Sequence, residues 1–272
     1  MKRRLFTFLV PVFLLLGGCQ VIEPVVQLLV SETGKANAMF VRPFQTTTIM
    51  TWNIRAGRGL NDVRDLTRVA AVIKEADADF VALQEVDRNT TRADGVDQLT
   101  VLAEATGLVP TWGKALDFDG GEYGVALLSR AAPLRTQVVP LTHPDATEAR
   151  VLLLVEFSDC IVGVTHLPLH ETARLAAVKT IRAALPAEKP CFLAGDWNDE
   201  PASETLRALR GPFALLSGVA PTFPANAPTR CLDYIAVLRR YRARYEGVSH
   251  EVLPEAVASD HRPVCVTFRQ AN

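Results

Sequence analysis

The sequence lacks most of the short motifs that identify an enzyme class on their own. It contains no Gly-x-Ser-x-Gly turn and no His-Glu-x-x-His helix, which argues against a serine hydrolase and a zinc protease. Gly57 and Gly59 are not followed by the Lys-Ser/Thr ending of a phosphate-binding loop, and no dinucleotide fingerprint is present. No CxxC or Cys-His spacing indicates structural zinc. Candidate functional residues therefore have to be found at dispersed positions.

The chain also lacks a strong excess of either charge, with 29 Lys+Arg against 30 Asp+Glu in 272 residues. Removal of residues 1–18 on export would leave 26 Lys+Arg against 30 Asp+Glu, a net charge of −4. Such a mildly acidic protein is not built for broad attraction to a nucleic-acid backbone. There is no internal repeat or low-complexity segment, and the remaining length suits one globular domain.

The N-terminus has the features of an export signal. Lys2-Arg3-Arg4 precedes the apolar run Leu5–Leu16, which is too short to span a bilayer comfortably. Leu16-Gly17-Gly18-Cys19 resembles a bacterial lipobox, in which the Cys becomes the lipid-modified first residue; the alternative is an ordinary cleaved signal peptide with a spare Cys. We predict a lipoprotein signal peptide at 1–18, a lipid anchor and tether at 19–46, and one domain at 47–270.

Acylation at Cys19 predicts where the protein resides. Several acyl chains hold a protein stably at a membrane, whereas a single chain does not. Gln20, not Asp, follows the Cys. By analogy with lipoprotein sorting in Gram-negative cells, this favours the outer membrane, facing the periplasm or the surface, if the source is such a cell.

Four further cysteines leave two alternatives open. An even number of cysteines in an exported chain allows one or two disulfides, and buried free thiols in core strands are the other interpretation. If the strands are regular, alternation sends Cys160 and Cys191 to opposite faces, which argues against a bond between them. The four residues are Cys160, Cys191, Cys231 and Cys265.

From Thr47 onward, short apolar stretches alternate with a few segments of helical periodicity. This pattern fits either one doubly wound parallel sheet or two packed sheets with helices outside. The predicted helices lie near 64–75, 98–106 and 172–185, and the predicted strands at 48–55, 80–85, 125–129, 137–141, 151–157, 161–166, 191–196, 233–237 and 263–268.

Six segments place an Asn, Asp, Glu or His at, or just beyond, an apolar stretch short enough to be a buried strand. A scaffold can present side chains rigidly at a sheet edge in this way. Six such coincidences in one order indicate a functional site. The segments are Thr51-Trp52-Asn53, Leu83-Gln84-Glu85, Thr165-His166-Leu167, Gly195-Asp196-Trp197-Asn198, Leu232-Asp233-Tyr234 and Ser259-Asp260-His261.

The residue types suit hydrolysis of a phosphate ester. That reaction needs charge neutralisation on the phosphoryl oxygens, an activated water and a proton for the leaving group. Glu85 ends an apolar strand, where a lone charge is costly, so a hard cation such as Mg²⁺ is its natural partner. Asp260 is poorly placed to orient the imidazole of its neighbour His261, because adjacent side chains of a strand diverge. Another carboxylate should therefore do so.

The order of the six segments resembles the endonuclease/exonuclease/phosphatase superfamily, which includes deoxyribonuclease I, abasic-site endonucleases, neutral sphingomyelinases and inositol-polyphosphate 5-phosphatases. The resemblance runs from about Thr47 to Arg269. Its most specific parts are Gly195–Asn198 and Ser259–His261. It implies an α/β fold, a four-layered α/β/β/α sandwich with two packed sheets, helices outside and the active site at one end of the sheets.

The resemblance also implies roles at the centre of the site. Glu85 matches the principal metal ligand, and Asn53 and Asp260 match residues that complete or support the metal site. Asp233 matches the carboxylate that pairs with His261. Asp196 and Asn198 match residues that position or activate the water and hydrogen-bond the phosphate.

His166 separates subgroups within the superfamily. Deoxyribonuclease I and the sphingomyelinases carry a second His here, as a candidate general acid, and abasic-site endonucleases lack it. Glu122 is a candidate orienter of His166 at the substrate side of the site. Arg55 and Arg88 are candidate phosphate contacts, since Arg offers a bidentate fork.

We therefore expect a membrane-anchored, monomeric phosphoesterase that uses Mg²⁺ or another divalent cation such as Mn²⁺. A phosphodiester is the favoured substrate type, and the choice between diesterase and monoesterase stays open. Lipid headgroups, extracellular nucleic acid and small phosphorylated metabolites remain open as substrates, because the superfamily includes enzymes for all three. Lipid anchoring favours the first and the acidic balance disfavours the second. A nuclease of the same superfamily and a catalytically silent surface lipoprotein are the alternatives.

Overall fold

The computed structural model describes residues 27–30, 36–39, 46–186 and 188–271. The chain divides into two compact units, 1–45 and 46–272. In the first, strands β1 (Gln27–Val30) and β2 (Ala36–Met39) form an antiparallel pair within the predicted tether. The predicted signal peptide at 1–18 and lipidation site Cys19 lie outside the described residues.

The second unit contains alternating strands and helices. Its α-helices are α1 (Leu66–Ala76), α2 (Gln98–Thr106), α3 (Glu171–Ala184) and α4 (Glu204–Arg210). Its strands are β3 (Thr46–Asn53), β4 (Phe80–Arg88), β5 (Val109–Phe118), β6 (Gly121–Ser129), β7 (Arg135–Leu141), β8 (Arg150–Glu156), β9 (Ile161–His166), β10 (Cys191–Asp196), β11 (Phe213–Leu215), β12 (Asp233–Leu238), β13 (Tyr245–Val252) and β14 (Val264–Gln270).

These twelve strands form two six-stranded sheets, one in the order β13-β14-β3-β4-β6-β5 and the other in the order β11-β12-β10-β9-β8-β7. One apolar cluster lies between the sheets and extends to α3 and α4, and a second joins the outer face of the first sheet to α1 and α2. The second unit therefore has the layer order helix, sheet, sheet, helix. The predicted four-layered α/β/β/α sandwich is confirmed, and the single doubly wound sheet is excluded.

Strand β3 shows how the sequence produces this layering. Side chains of a strand alternate between the two faces of the sheet. Ile49 belongs to the cluster between the sheets, whereas Met50 and Trp52 belong to the cluster beneath α1 and α2. Because all three are fully buried, β3 is apolar on both faces. The same alternation turns Asn53, the last residue of β3, toward the second sheet.

One end of the sandwich collects the polar strand ends. The parallel pairs β3–β4 and β9–β10 both end there, and the antiparallel neighbour β12 begins there. The register pairs Asp196 with His166 on one side and with Asp233 on the other. Three segments that are distant in sequence therefore lie side by side across one sheet.

Two further features concern the cysteines and the membrane. The four described cysteines are buried free thiols, as in the second of the two alternatives raised by the sequence. Among the described residues, no helix has the length and hydropathy needed to cross a bilayer.

Candidate active site

Asp196 lies at the centre of the polar end of the sandwich. Its carboxylate is fully buried, and Oδ2 lies 3.4 Å from His166 Nε2 and 3.6 Å from His261 Nε2. The amide of Asn53 donates to the same oxygen at 3.1 Å. Burial raises the Asp196 pKa to about 6, although the neighbouring His261 opposes the rise. A carboxylate with this pKa is ionised at neutral pH and is basic enough to accept a proton from water.

Gly195 is required for Asp196 to reach this place. Its φ is +157°, and a Cβ at this position would lie 1.9 Å from the carbonyl oxygen of Thr165 on the adjacent strand. No other residue type fits so close an approach of two backbones. Asn198 follows with φ +51°, and its backbone N–H donates to Asp196 Oδ1 at 2.9 Å. Its side chain donates to the carbonyl of Leu167 at 2.8 Å. These contacts fix Asp196 and Asn198 relative to β9.

The expected partner of His261 is Asp233. His261 Nδ1 lies 2.9 Å from Asp233 Oδ2, and Thr222 Oγ1 donates to that oxygen at 2.5 Å. Burial by itself would lower the His261 pKa, but the charges of Asp233 and Asp196 outweigh it and raise the pKa to about 10. The imidazole is therefore protonated at neutral pH, so a cation faces Asp196 and the space around it.

Glu85 reaches the site through a backbone irregularity. The pairing of β4 with β6 shifts between Leu83 and Val86, and Glu85 sits in this bulge with φ +55°. A non-glycine residue in the left-handed region is strained, and bulges often re-aim a side chain next to an active site. Asn53 Nδ2 donates to Glu85 Oε1 at 2.9 Å, and the same nitrogen reaches Asp196. Asn53 therefore links the two carboxylates.

Asp260 and Arg55 lie beside this centre. Arg55 Nε is 3.6 Å from Asp260 Oδ2, and its Nη2 is 3.6 Å from Asp62 Oδ1. The backbone N–H of Arg55 donates to Asn53 Oδ1 at 3.1 Å. The predicted phosphate contact Arg55 is thus engaged in holding Asp260 and Asn53, and it does not line the cavity described below.

The donor set fits a hard divalent cation at Glu85. Burial raises the Glu85 pKa, the Asn53 hydrogen bond opposes this, and the negative charge of Asp260 raises the pKa further. Two neighbouring carboxylates next to an amide are oxygen donors of the kind that Mg²⁺ binds. Asp196, Asp233 and His261 also lie within 4.8 Å of one another. We read that group as a hydrogen-bonded triad, because His261 Nδ1 already binds Asp233.

His166 occupies the predicted position, but its protonation differs from the expected role. The side chain is buried, and Nδ1 has no hydrogen-bond partner among the described residues. Burial lowers its pKa well below the ordinary value, and the charges of Arg150 and His261 lower it further. The imidazole is therefore neutral at neutral pH. A general acid here needs an anion bound beside it to stabilise the proton.

Two predicted residues have other partners. Arg88 Nη2 lies 2.6 Å from Asp97 Oδ2, so Arg88 forms an ion pair at the start of α2, and it does not line the cavity described below. Glu122 accepts a hydrogen bond from Trp112 Nε1 at 2.9 Å and lies 3.2 Å from Lys114 Nζ. Glu122 is therefore not the orienter of His166, because its carboxylate is held by residues of β5.

Sequence reasoning missed Arg150, the arginine nearest the centre. It is 6% exposed, it donates from Nη1 to Tyr123 Oη at 3.2 Å, and its Nη2 lies 3.0 Å from Glu148 Oε2. Its buried Nε has no partner among the described residues. The available signal was a charged residue directly before the apolar run Val151–Val155. β8 is antiparallel to β9 and begins at this edge, so Arg150 reaches the site from the start of a strand.

A cavity of about 480 Å³ opens over these residues. Its floor carries the catalytic candidates, and its rim is partly apolar and partly basic. The floor residues are Glu85, Arg150, His166, Asp196, Asn198 and His261, and the rim includes Arg92, Phe118, Tyr123, Leu169, Phe223, Arg230 and Leu232. Arg92 is held rigidly at the rim, because it pairs with the buried Asp87 at 2.7 Å and stacks on Phe118 at 4.4 Å. The volume suits a small phosphorylated group, with a positive wall toward its anionic part.

Solved structures share this fold. The endonuclease/exonuclease/phosphatase from Beutenbergia cavernae is 25% identical with a TM-score of 0.72, and the match covers 84% of this chain and 72% of that one. The mannosyl-6-phosphatase Bt3783 of Bacteroides thetaiotaomicron is 19% identical with a TM-score of 0.67, over 82% and 99% of the two chains. A humanized D. rerio TDP2 is 18% identical with a TM-score of 0.60, over 83% and 99%.

A family model matches the chain, whereas no curated protein does. Residues 50–261 match the Endonuclease/Exonuclease/phosphatase family, and this range contains every strand end that forms the site. The chain therefore belongs to the endonuclease/exonuclease/phosphatase family and is a hydrolase of phosphoester bonds.

Proposed function

We propose that the protein is a divalent-metal-dependent phosphodiesterase, with Mg²⁺ as the first candidate ion. The observation that carries this proposal is Asp196, a buried carboxylate in contact with two imidazoles and linked through Asn53 to Glu85. Glu85, Asn53 and Asp260 would hold the ion. When bound, it would neutralise charge on the phosphoryl oxygens.

The residues of the chain divide the remaining tasks. Asp196 takes the proton of the attacking water, since its pKa of about 6 leaves it ionised at neutral pH. Protonated His261 faces the same space and stabilises the negative charge that develops on the phosphoryl group. Asn198 and Arg150 line the cavity and donate hydrogen bonds to phosphoryl oxygens. The water oxygen bonds to phosphorus as the P–O bond to the leaving group breaks.

His166 is our candidate for the proton donor to the leaving oxygen. It lines the cavity on the side of Asp196 opposite β12, and its Nδ1 has no partner among the described residues. A bound phosphate ester brings negative charge next to the ring. That charge favours the protonated imidazole and offsets the lowering of the pKa by burial.

The substrate and the location are also proposals. Two of the similar structures carry names of enzymes for different phosphorylated compounds, a mannosyl-6-phosphatase and TDP2, and the fold alone does not choose between them. The cavity supports a small phosphoester more than an extended polymer, because its lining forms one pocket of about 480 Å³ to which Arg92, Arg150 and Arg230 contribute positive charge. We propose an exported monomer anchored through an acylated Cys19, on the basis of the lipobox resemblance.

The proposal can be tested with the full chain and a panel of phosphoesters. Phosphodiesters and phosphomonoesters of sugars, glycerol headgroups and short oligonucleotides would be offered with EDTA and with added Mg²⁺ or Mn²⁺. We expect turnover of at least one diester that EDTA abolishes and Mg²⁺ restores. Hydrolysis that persists in EDTA would refute the metal requirement, and preference for monoesters would refute the diesterase assignment. A parallel Asp196→Asn variant should be inactive on every ester, which excludes a contaminating phosphatase.

A further inference from the structure

A cluster of arginines lies at the end of the sandwich opposite the active site. The segment 239–244 forms a single 3-10 helix and contains four arginines and no acidic residue. We call Arg239, Arg240, Arg242 and Arg244 the arginine cluster. Three of its members are exposed, and Arg242 is half-buried. This concentration is notable in a chain whose acidic residues outnumber its basic ones.

The segment is held in shape without neutralising its charge. Arg239 donates to the backbone carbonyl of Phe213 at 2.8 Å, and Arg242 donates to that of Tyr245 at 2.6 Å. Arg244 lies 4.9 Å from the ring centre of the buried Tyr241. Among the described residues, Arg239, Arg242 and Arg244 form no ion pair with a carboxylate. These three guanidinium groups therefore retain their full positive charge at the surface.

Within the described part of the chain, the acidic side chains near the segment are too few to cancel the charge of Arg239, Arg242 and Arg244. Glu246 follows the segment, but its carboxylate lies 3.3 Å from Arg269 and is already paired. Asp159 is close enough to raise the pKa of Tyr245. Single carboxylates at the margin leave the segment with a net positive surface, which attracts anions over about one Debye length, or about 8 Å at physiological salt.

The cluster lies at the end of the sandwich opposite the active site, which is also the end where the first strand of the domain begins. β12 begins at Asp233 in the active site and ends at Leu238, directly before the cluster. Six residues of strand span about 20 Å, so the cluster and the cavity lie at opposite ends of the sheet. β3 begins at the same end as the cluster, since Thr46 pairs with Arg269 and the N–H of Ala271 donates to the carbonyl of Arg244 at 2.7 Å.

We propose that the arginine cluster binds the anionic headgroups of a phospholipid surface. The predicted tether joins the domain at Thr46, on the end that carries the cluster, so anchor and cluster would approach the same bilayer. A guanidinium group can donate two parallel hydrogen bonds to a lipid phosphate. Exposed guanidinium groups are also attracted electrostatically to an anionic surface, with no need to bury an apolar face. The cavity then opens about 20 Å or more away from that surface. Its substrates arrive from the aqueous side rather than from the bilayer that holds the anchor.

The experiment measures vesicle binding of the chain without residues 1–18, so that the basic and apolar signal segment does not itself bind lipid. Cys19→Ala in this chain removes the acylation site, and partition coefficients are measured on phosphatidylcholine vesicles with and without phosphatidylglycerol, at low and high salt. We expect binding that needs phosphatidylglycerol and weakens with salt. Arg242→Gln with Arg244→Gln should lower the partition coefficient on anionic vesicles by about 25-fold, since each basic residue at such a surface contributes about fivefold and the two factors multiply.

Two control pairs separate charge from structure. Arg242→Lys with Arg244→Lys keeps the charge and should bind anionic vesicles like the parent chain. Arg64→Gln with Arg68→Gln removes two charges outside the cluster, and should also bind like the parent. Far-UV circular dichroism of every variant shows whether the fold is intact. Vesicle binding is measured directly, so this test does not depend on catalytic activity.

Several results would overturn the proposal. Binding that is equal with and without phosphatidylglycerol would show that the contact is not electrostatic. An equal loss in the Arg64 and Arg68 pair would show that general charge, rather than the cluster, is responsible. Unchanged vesicle binding by the Gln pair, together with weakened binding to duplex DNA, would assign the cluster to nucleic acid instead.

Discussion

Asp233 and His261, which are 28 residues apart, are joined by a hydrogen bond of 2.9 Å in a place from which water is almost excluded. The backbone carbonyl of His261 also accepts from Trp52 Nε1 at 2.9 Å, so the residue is held from both its ring and its main chain. An imidazolium held this rigidly can stabilise charge in a transition state without reorganising.

The first prediction concerns that pair. Asp233→Asn keeps the size of the side chain and removes its charge, so burial should then favour a neutral His261. We expect kcat to fall by roughly 10²-fold or more, the range for loss of a positioned acid or base. The matched control is Asp199→Asn, which removes a carboxylate that pairs with Arg174 and does not line the cavity. Equal activity of the two variants would contradict a role for the Asp233–His261 pair.

The second prediction concerns metal binding. Glu85→Gln removes the central carboxylate and keeps the length of the side chain, so calorimetric binding of Mn²⁺ should weaken by an order of magnitude or more, with activity lost in parallel. The control is Glu122→Gln, because Glu122 is held by Trp112 and Lys114. Unchanged affinity in Glu85→Gln would place the ion elsewhere, and Asp260→Asn would then be the next variant to measure.

The third prediction concerns the arginine found by the structure. Arg150→Lys keeps a positive charge but loses the fork that contacts Tyr123 and Glu148. A charge-assisted hydrogen bond contributes about 1.5–3 kcal/mol, so kcat/KM should fall by roughly 10- to 100-fold. Arg88→Lys is the matched control and should leave kcat/KM unchanged. The opposite ranking would restore Arg88 as the phosphate contact.

Much of the fold could be predicted from the sequence, because buried strands and helices leave a local pattern of apolar residues. The apolar runs that became β3, β9 and β10 are buried on both faces, and α1 buries Val69, Ala70 and Ile73 as its helical spacing predicts. Strand β13 was missed because its side chains are mostly exposed at the edge of the sheet, which leaves no apolar pattern. Strand β5 was missed because its burial pattern is irregular around a shift in pairing.

The site could be predicted only in part, for a geometric reason. Residues at the ends of β9 and β10 and at the start of β12 could be placed, because strand pairing fixes them side by side. Glu122 was misplaced because it follows the turn between β5 and β6, whose shape no periodicity reports. Arg88 was misplaced because a half-buried arginine near the surface has several possible partners, and Asp97, nine residues later, is the one it meets.

The fourth prediction tests the pairing of Arg88 with Asp97 through the free energy of unfolding. Burial by itself would raise the Asp97 pKa, but the Arg88 hydrogen bonds and the Thr100 contacts outweigh it and hold the pKa below its usual range. A lowered pKa stabilises the fold fully above the pKa of the unfolded state, about 3.9, and this stability is lost as pH falls through the folded value. Arg88→Ala should cost about 1 kcal/mol in the free energy of unfolding from pH 8 to pH 5.

The difference from the parent chain should then shrink as the pH falls below about 4, and it should vanish once the pH is below the lowered pKa of Asp97 in the folded parent. Urea unfolding at several pH values measures it. Catalytic activity of Arg88→Ala near neutral pH should match the parent. A stability difference that does not change with pH would show that Arg88 acts through packing of its alkyl chain alone.

The last prediction separates the two histidines that contact Asp196. The negative charges of Asp233 and Asp196 keep His261 protonated and positively charged. Loss of this histidine should therefore impair hydrolysis of any ester. His166 gives a proton to the leaving oxygen in our proposal, and a general acid matters most when the leaving group is poor. His166→Ala should therefore lose much more activity on an alkyl phosphodiester than on a p-nitrophenyl ester, whose phenolate leaves readily without a proton. His261→Ala should be severely impaired on both.

The measurement is single-turnover kinetics on the two ester types, with the chemical step shown to limit the rate. Equal losses for His166→Ala would mean that the neutral imidazole in the structure acts as a hydrogen-bond donor to the phosphate, and that another group protonates the leaving oxygen.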